Sequence, residues 1–345
     1  MGTSVLTKIF TLTSLGFIVA LAATPLLTQF LYKNKLGKQI RNDGSTPLFS
    51  KMHKGKAGTP TMGGILVWGT LVALLGLFWF LDRVLHIEFF AKLDFYSRKE
   101  TLLPLGALLG ASVVGVVDDW LDVRQRGHKG RGLRFRFKFL LYAFVASVGA
   151  WWFYFKLGFE SVHVPFLGGV HMGVWFIPFF ILTLVATSFA VNETDGLDGL
   201  AAGTLMIAFF AFGLLAFMQG KYDLASFIGV IGGALLAFLW FNVHPARFFM
   251  GDTGSMGLGV LLAVVAFLTN SVFLLFLIGF VFVIEALSYL LQLFWRKVFK
   301  KKLFLSAPLH HHLEALGWPE TKVTMRFWIV AAVTSLIGVI VYFIG

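Results

Sequence analysis

Six aspartates share one kind of position in this chain, at the end of an apolar run or in the polar segment that follows it: Asp118, Asp119, Asp122, Asp195, Asp198 and Asp252. Asp118 and Asp122 are four apart and share a face if their run is helical, with Asp119 about a quarter-turn away. Like charges at that spacing disfavour a helix, so a bound cation or a basic partner is the economical reason to cluster them. The chain has no Cys, which removes thiol nucleophiles and Cys-ligated zinc or iron. Ligands that are all oxygen suit Mg²⁺ or Mn²⁺, and Mg²⁺ normally shares its shell with substrate phosphates.

Two further islands of polar residues interrupt apolar sequence. Asn192-Glu193-Thr194-Asp195-Gly196-Leu197-Asp198-Gly199 combines tight-turn glycines with donors and acceptors for a polar ligand. The segment from Asn242 to Ser255 ends in Gly251-Asp252-Thr253-Gly254-Ser255, which predicts a helix start. Free N–H groups and the helix dipole there would favour a phosphate or a metal-bound anion, with Phe249 placed to stack on a planar base. Farther on, His310, His311 and His312 precede Leu313-Glu314. Three adjacent His cannot all point one way on a helix, which argues against a three-His zinc site; donors to a phosphate, metal storage and an incidental run are the readings that remain. Lys54 and Lys56 precede Gly58-Thr59-Pro60-Thr61-Met62-Gly63-Gly64, and the basic stretch from Arg131 to Lys138 follows the Asp cluster. Anionic headgroups account for most such residues; a bound diphosphate needs some of them. The Gly106/Gly110 and Gly199/Gly203 spacings read as helix packing.

The elements that carry these groups must be membrane helices. Of 345 residues, 58% are hydrophobic and 13% charged, against about 25% charged in a soluble domain. No polar stretch is long enough for a separate domain, so the expectation is one all-α polytopic membrane domain over residues 1–345. Runs able to cross about 30 Å of hydrocarbon fall near 9–32, 62–81, 101–117, 139–157, 174–191, 199–218, 224–241, 256–269, 272–294 and 327–344. In lipid such runs have to be helices. Loops 33–61, 118–138, 192–198, 242–255 and 295–326 hold 22 of the 29 Lys and Arg, which places these five loops in the cytoplasm and both termini outside. Ala20-Leu21-Ala22 has the look of a cleavage site, yet translocating the basic loop behind it is unfavourable, so the first span is read as uncleaved.

Taken in order, Gly58-Thr59-Pro60-Thr61-Met62-Gly63-Gly64, Asp118-Asp119, Asn192-x-x-Asp195-Gly-Leu-Asp198-Gly, Phe249-Met250-Gly251-Asp252 and Pro308-Leu309-His310-His311-His312-Leu313-Glu314 resemble the phospho-N-acetylmuramoyl-pentapeptide transferases. These belong to the polyprenyl-phosphate N-acetylhexosamine-1-phosphate transferase superfamily. The resemblance runs from about residue 30 to the C-terminus. It implies transfer of phospho-MurNAc-pentapeptide from UDP-MurNAc-pentapeptide to undecaprenyl phosphate, giving lipid I and UMP, with Mg²⁺ as cofactor, at the cytoplasmic face of the bacterial inner membrane. It also implies a homodimer and no nucleic-acid partner. Carried over residue by residue, Asp118, Asp119, Asp252 and His311 are catalytic, and Asp252, Asp118 and Asp119 are the metal ligands, with Asp252 foremost. Lys56, Thr61, Asn192, Asp195, Asp198, Asn242 and Phe249 hold the nucleotide, and Lys138, His310 and His312 lie near the phosphates or amino-sugar. A phosphate monoester is already largely ionised at neutral pH, which favours its direct attack, with Asp118 as orienting group or base.

Three other readings compete. Sibling transferases that use UDP-N-acetylglucosamine share the Asp-Asp and Asn-x-x-Asp-Gly-x-Asp patterns, but the His-His-His-x-Glu run resembles the muramoyl branch. A secondary transporter would make Glu285, inside an apolar span, an ion-path residue; transporters, however, place ligand groups near the bilayer midplane, and the carboxylates here gather at one boundary. A scaffold for other wall-synthesis proteins explains none of the polar clusters.

Overall fold

The computed structural model describes residues 2–37, 56, 58–87, 90, 93–97, 100–127 and 132–345, so Lys54 and Arg131 lie outside the described residues. The long apolar runs form helices α1 (Gly2–Lys33), α2 (Ile65–Arg83), α3 (Leu102–Val123), α4 (Phe135–Trp151), α5 (Phe176–Thr194), α6 (Leu200–Met218), α7 (Tyr222–Asn242) and α8 (Asp252–Leu268). A broken pair follows, α9 (Leu275–Ile278) and α10 (Phe280–Phe299), then the short α11 (Leu309–Ala315) and the terminal α12 (Glu320–Ile344). Among the described residues, eight helices are long and apolar enough to cross a membrane, or nine if the broken pair is one span.

Helix α8 is the axis of the bundle. Every residue from Thr253 to Leu268 is buried, and α3, α5, α6 and α2 pack around it. A helix that is apolar on all sides belongs in a core. Its 17 residues rise only about 25 Å, short of a full span, which is tolerable because protein rather than lipid surrounds it. Small residues permit the close crossings: a Cβ on Gly115 of α3 would collide with the backbone of Asp252 and Thr253, and one on Gly64 with Gly254.

Two expectations need correction. The run at 272–294 is not one straight span, since α9 and α10 meet at Gly279 with a bend of 84°. Hydropathy records apolar length and is blind to such a break. The all-α expectation omits a hairpin, β1 (Ser161–Val164) paired antiparallel with β2 (Gly168–His171). Val162, Val164 and Val170 supply β-branched residues across a turn through Phe166 and Gly168, both at positive φ. A two-stranded hairpin is marginal alone. Here it is held by Asn270, whose Oδ1 accepts from the His163 N–H at 3.1 Å, and by Gly345, whose carbonyl accepts from the Phe166 N–H at 3.1 Å.

Those contacts put the hairpin, the end of α8 and the C-terminus at one end of the bundle. Lys8 in α1 reaches Asp223 at the start of α7, at 3.3 Å, so the first helix also begins at that end. There α8 is closed off by Lys221, whose Nζ donates to the Leu268 carbonyl at 2.5 Å, and by Gln219, whose Nε2 donates to that of Thr269 at 2.7 Å. A cation at a helix C-terminus complements the dipole. The polar islands collect at the opposite end.

Candidate active site

Helix α3 continues six residues past the expected span end, which keeps Asp118 and Asp119 on helix and buries both. Their side chains diverge. Asp119 turns to the start of α8, where its Oδ1 accepts from the Asp252 N–H at 3.1 Å and its Oδ2 from the Thr253 N–H at 3.0 Å. The next two amides, of Gly254 and Ser255, donate to the Gly251 carbonyl. The helix start expected to offer free amides to a phosphate is thus satisfied internally, by a carboxylate from another helix acting as its cap. Gly251 makes the junction feasible. It sits at φ 71°, and a Cβ there would lie 2.5 Å from Asp119 Oδ2 and 2.6 Å from Thr61 Oγ1.

Asp118 faces the other way, toward the turn that leads into α4. Its Oδ1 accepts from the Leu133 N–H at 2.6 Å and its Oδ2 from Lys138 Nζ at 3.1 Å. Lys138 also donates to Asp252 Oδ2, so one ammonium bridges the carboxylates of α3 and α8. The other oxygen of Asp252 accepts from Asn192 Nδ2 at 2.7 Å, and Asn192 reaches Ser255 Oγ at 2.9 Å. Asp195 joins through the Gly251 N–H, which donates to its Oδ2 at 3.2 Å. Among the described residues, this cluster gathers the carboxyl groups of Asp118, Asp119, Asp195 and Asp252 around one ammonium, that of Lys138. All their ligating atoms are oxygens, a donor set that fits a hard divalent cation.

A second cluster surrounds Lys56. Its Nζ donates to Asp198 Oδ1 at 2.7 Å and to Glu320 Oε1 at 2.5 Å. Asp198 Oδ2 also meets His244 Nδ1 at 2.9 Å and the Ala246 N–H at 3.1 Å. Burial works to raise the Asp198 carboxyl, but the Lys56 charge and these hydrogen bonds outweigh it and hold the group below the usual carboxylate range. Asp198, His244 and Glu320 could together offer ligand atoms to a metal; here the Lys56 ammonium already bonds to both carboxylates. Asn242 ties the neighbouring loops, its Oδ1 accepting from the Gly199 N–H at 3.0 Å and its Nδ2 donating to the Phe248 carbonyl at 2.9 Å. Phe249, half-buried, has Lys56 Nζ 5.8 Å from its ring centroid.

The three histidines separate as their spacing requires. His310 Nδ1 meets Glu285 Oε2 at 2.9 Å, His311 Nδ1 meets Glu314 Oε2 at 2.8 Å, and His312 Nδ1 accepts from the Leu305 N–H at 3.2 Å. The predicted residues therefore fall into three adjoining groups: Asp118, Asp119, Lys138, Asn192, Asp195, Asp252 and Thr61; then Lys56, Asp198, Asn242 and Phe249; then the histidines, of which His312 turns to the 303–305 segment. His244 and Glu320 were missed as site residues, although both stand near motifs noted above, two residues after Asn242 and six residues after Glu314. The Gly199/Gly203 pair packs against Trp328, as a packing motif should, while a Cβ on Gly106 would meet open space.

The family model described as Glycosyl transferase family 4 matches residues 101–270, the stretch from α3 through α8 that carries Asp118, Asn192 and Asp252. The phospho-N-acetylmuramoyl-pentapeptide-transferase signature 1 matches residues 56–66, which include Lys56 and Thr61. A protein named phospho-N-acetylmuramoyl-pentapeptide-transferase from Chloroflexus aggregans is 40% identical over 341 residues, covering 95% of this chain and 88% of that one. One of the same name from Geobacillus sp. (strain WCH70) is 40% identical over 330 residues, covering 94% and 95%. A third, from Desulforapulum autotrophicum, is 39% identical over 343 residues, covering 94% and 89%.

Proposed function

This chain belongs to the phospho-N-acetylmuramoyl-pentapeptide-transferase family, and on that premise we propose that it transfers phospho-MurNAc-pentapeptide from UDP-MurNAc-pentapeptide to undecaprenyl phosphate, forming lipid I and UMP. The observation that carries the proposal is the convergence of Asp118, Asp252, Lys138 and Asn192 at one end of an apolar bundle. That end becomes the cytoplasmic boundary when the positive-inside bias is applied, and the multi-pass chain then has both termini on the outer side.

Phosphoryl transfer depends on positioning and charge neutralisation more than on covalent chemistry by the protein. Oxygen of the lipid phosphate forms the new bond to the sugar-bearing phosphorus, the diphosphate P–O bond breaks, and UMP leaves with the electron pair. Asp252 and Asp118 are the carboxylates that would hold Mg²⁺, which when bound neutralises charge on the diphosphate and on departing UMP. Asp119, with both oxygens on backbone amides, orients the helix that carries Asp252. Lys138 neutralises the same two carboxylates and is placed to meet phosphate oxygens. Lys56 and Phe249 form a cation and a planar face suited to the uracil end, with Asp198, Glu320 and Asn242 fixing their loops. The site residues gather at one end of the bundle, which disfavours the transporter reading.

The test is turnover by purified protein with UDP-MurNAc-pentapeptide, polyprenyl phosphate and Mg²⁺, in competition with UDP-N-acetylglucosamine at equal concentration. Lipid-linked MurNAc-pentapeptide and UMP are expected. Absence of any lipid-linked product, or preferential transfer of GlcNAc-phosphate, would refute the reading.

A further inference from the structure

Helix α10 is apolar on its outer side but carries a stripe of buried polar residues, Glu285, Ser288 and Gln292, spaced three and four apart so that they share a face. Gln292 at one end of the stripe holds the 303–304 segment, its Oε1 accepting from the Leu303 and Phe304 N–H groups at 3.0 and 2.9 Å and its Nε2 donating to the Phe304 carbonyl. Glu285 at the other end meets α11. Its side chain and that of His310 are both wholly excluded from solvent. Its Oε2 lies 2.9 Å from His310 Nδ1, and its Oε1 accepts from the His310 backbone N–H at 3.2 Å. A carboxylate so deeply enclosed is costly unless it is satisfied by such contacts.

The other ring nitrogen has a different situation. His310 Nε2 is buried and makes no hydrogen bond among the described residues. It faces Gly196, where a Cβ would collide with it. Gly196 is partly exposed and separates Asp195, bonded to the Gly251 amide, from Asp198, bonded to Lys56. The orphan nitrogen therefore lies directly behind the loop that joins the two polar clusters.

We propose that Glu285 is a positioning residue for His310: by accepting from Nδ1–H and from the backbone amide, it fixes the ring's tautomer and direction and presents Nε2 to the Asp195–Asp198 loop. The histidine's second nitrogen takes its role from the partner of the first. A ring rotated or held in the other tautomer would turn the wrong atom toward Gly196. This assignment rests on the transferase reading, and it replaces the ion-path role that an intramembrane carboxylate would have in a transporter.

The experiment compares Glu285→Leu, Glu285→Gln, His310→Gln and the double variant Glu285→Leu/His310→Gln in steady-state turnover, together with ¹⁵N NMR of the imidazole nitrogens, His310 being assigned by difference with His310→Gln. Glu285→Leu is expected to lose about 10–100-fold, the usual cost of removing a partner that orients a functional His, mainly in kcat with little change in donor KM. Glu285→Gln, whose amide oxygen still accepts from Nδ1–H, should recover most of that loss. The double variant should be no slower than His310→Gln, because residues acting as one unit are not additive. The ¹⁵N signals of His310 should report a proton on Nδ1 in the native protein and in Glu285→Gln, and should change in Glu285→Leu. Wild-type turnover tests the transferase reading by itself, and the NMR arm reads the pair without any turnover. Additive losses, a fully active Glu285→Leu, or native His310 signals that put the proton on Nε2 would each overturn the proposal, the last even if Glu285→Leu fails to fold.

Discussion

Replacing Asp119 with Ala should destabilise the protein before it says anything about catalysis. The carboxylate accepts from the Asp252 and Thr253 N–H groups at 3.1 and 3.0 Å, at the start of a helix whose residues from Thr253 onward are all buried. Losing a helix cap costs about 0.5–2 kcal/mol where water can substitute. Here water has poor access, and each of the two buried N–H groups left without an acceptor costs about 1–3 kcal/mol, so the expected total is about 2–6 kcal/mol. Asp119→Asn keeps one acceptor oxygen and should lose roughly half as much. The assay is thermal unfolding in one detergent at one scan rate, since such transitions are commonly irreversible. The native protein should unfold last and Asp119→Ala first, with Asp119→Asn between them. Parallel Mg²⁺ titrations should give a similar half-activating concentration for Asp119→Asn and the native protein, because Asp119 acts on the backbone. An Asp119→Ala protein that unfolds at the native temperature, or an Asp119→Asn protein that needs far more Mg²⁺, would refute the capping role.

Asp252→Asn should abolish turnover while unfolding near the native temperature, since an amide supplies no charge to a hard dication; retained turnover at ordinary Mg²⁺ would count against Asp252 as the leading ligand. Asp198 has a folded-state pKa below its unfolded value, so its contribution is complete above the unfolded pKa of about 3.9 and is lost as pH falls through the folded one. The stability gap between the native protein and Asp198→Asn should therefore be full at neutral pH and narrow progressively as pH falls below about 4, as urea titrations at several pH values would show. In this Cys-free chain, Val243→Cys and Leu316→Cys, exposed at the site end, should resist an impermeant thiol reagent in intact cells, while Phe166→Cys in the hairpin should label. The reverse pattern would invert the proposed orientation.

The residues of the site were more legible in the sequence than their roles. Paired aspartates at a span end announce a shared polar site, but whether each side chain turns to α8 or to α4 depends on where α3 packs, and that is a tertiary fact. The glycine-rich run before Ser255 reads correctly as a helix start, yet nothing local reveals that a residue 133 positions earlier, Asp119, supplies its cap. Glu285 was visible only as an anomaly in an apolar run. Its partner, 25 residues away, becomes apparent only once the chain bends at Gly279 and brings α11 against α10. The hairpin escaped because two short strands carry little signal beside twenty-residue apolar runs.

The enclosure of α8 has a bearing on how the protein responds to its bilayer. Helices in contact with lipid adjust to hydrocarbon thickness by tilting or by drawing lipid inward, at a fraction of a kcal/mol per Å of mismatch. A strut of about 25 Å, anchored at one end by Asp119 and at the other by Lys221 and Gln219, has no lipid to adjust to. Changes in acyl-chain length would be absorbed by the outer surfaces of α1, α4 and α12, where large apolar side chains such as Phe10, Phe144 and Ile329 are exposed. The depth of Asp252 relative to the rest of the bundle is set by protein, so the clustered carboxylates keep their spacing in membranes of different thickness.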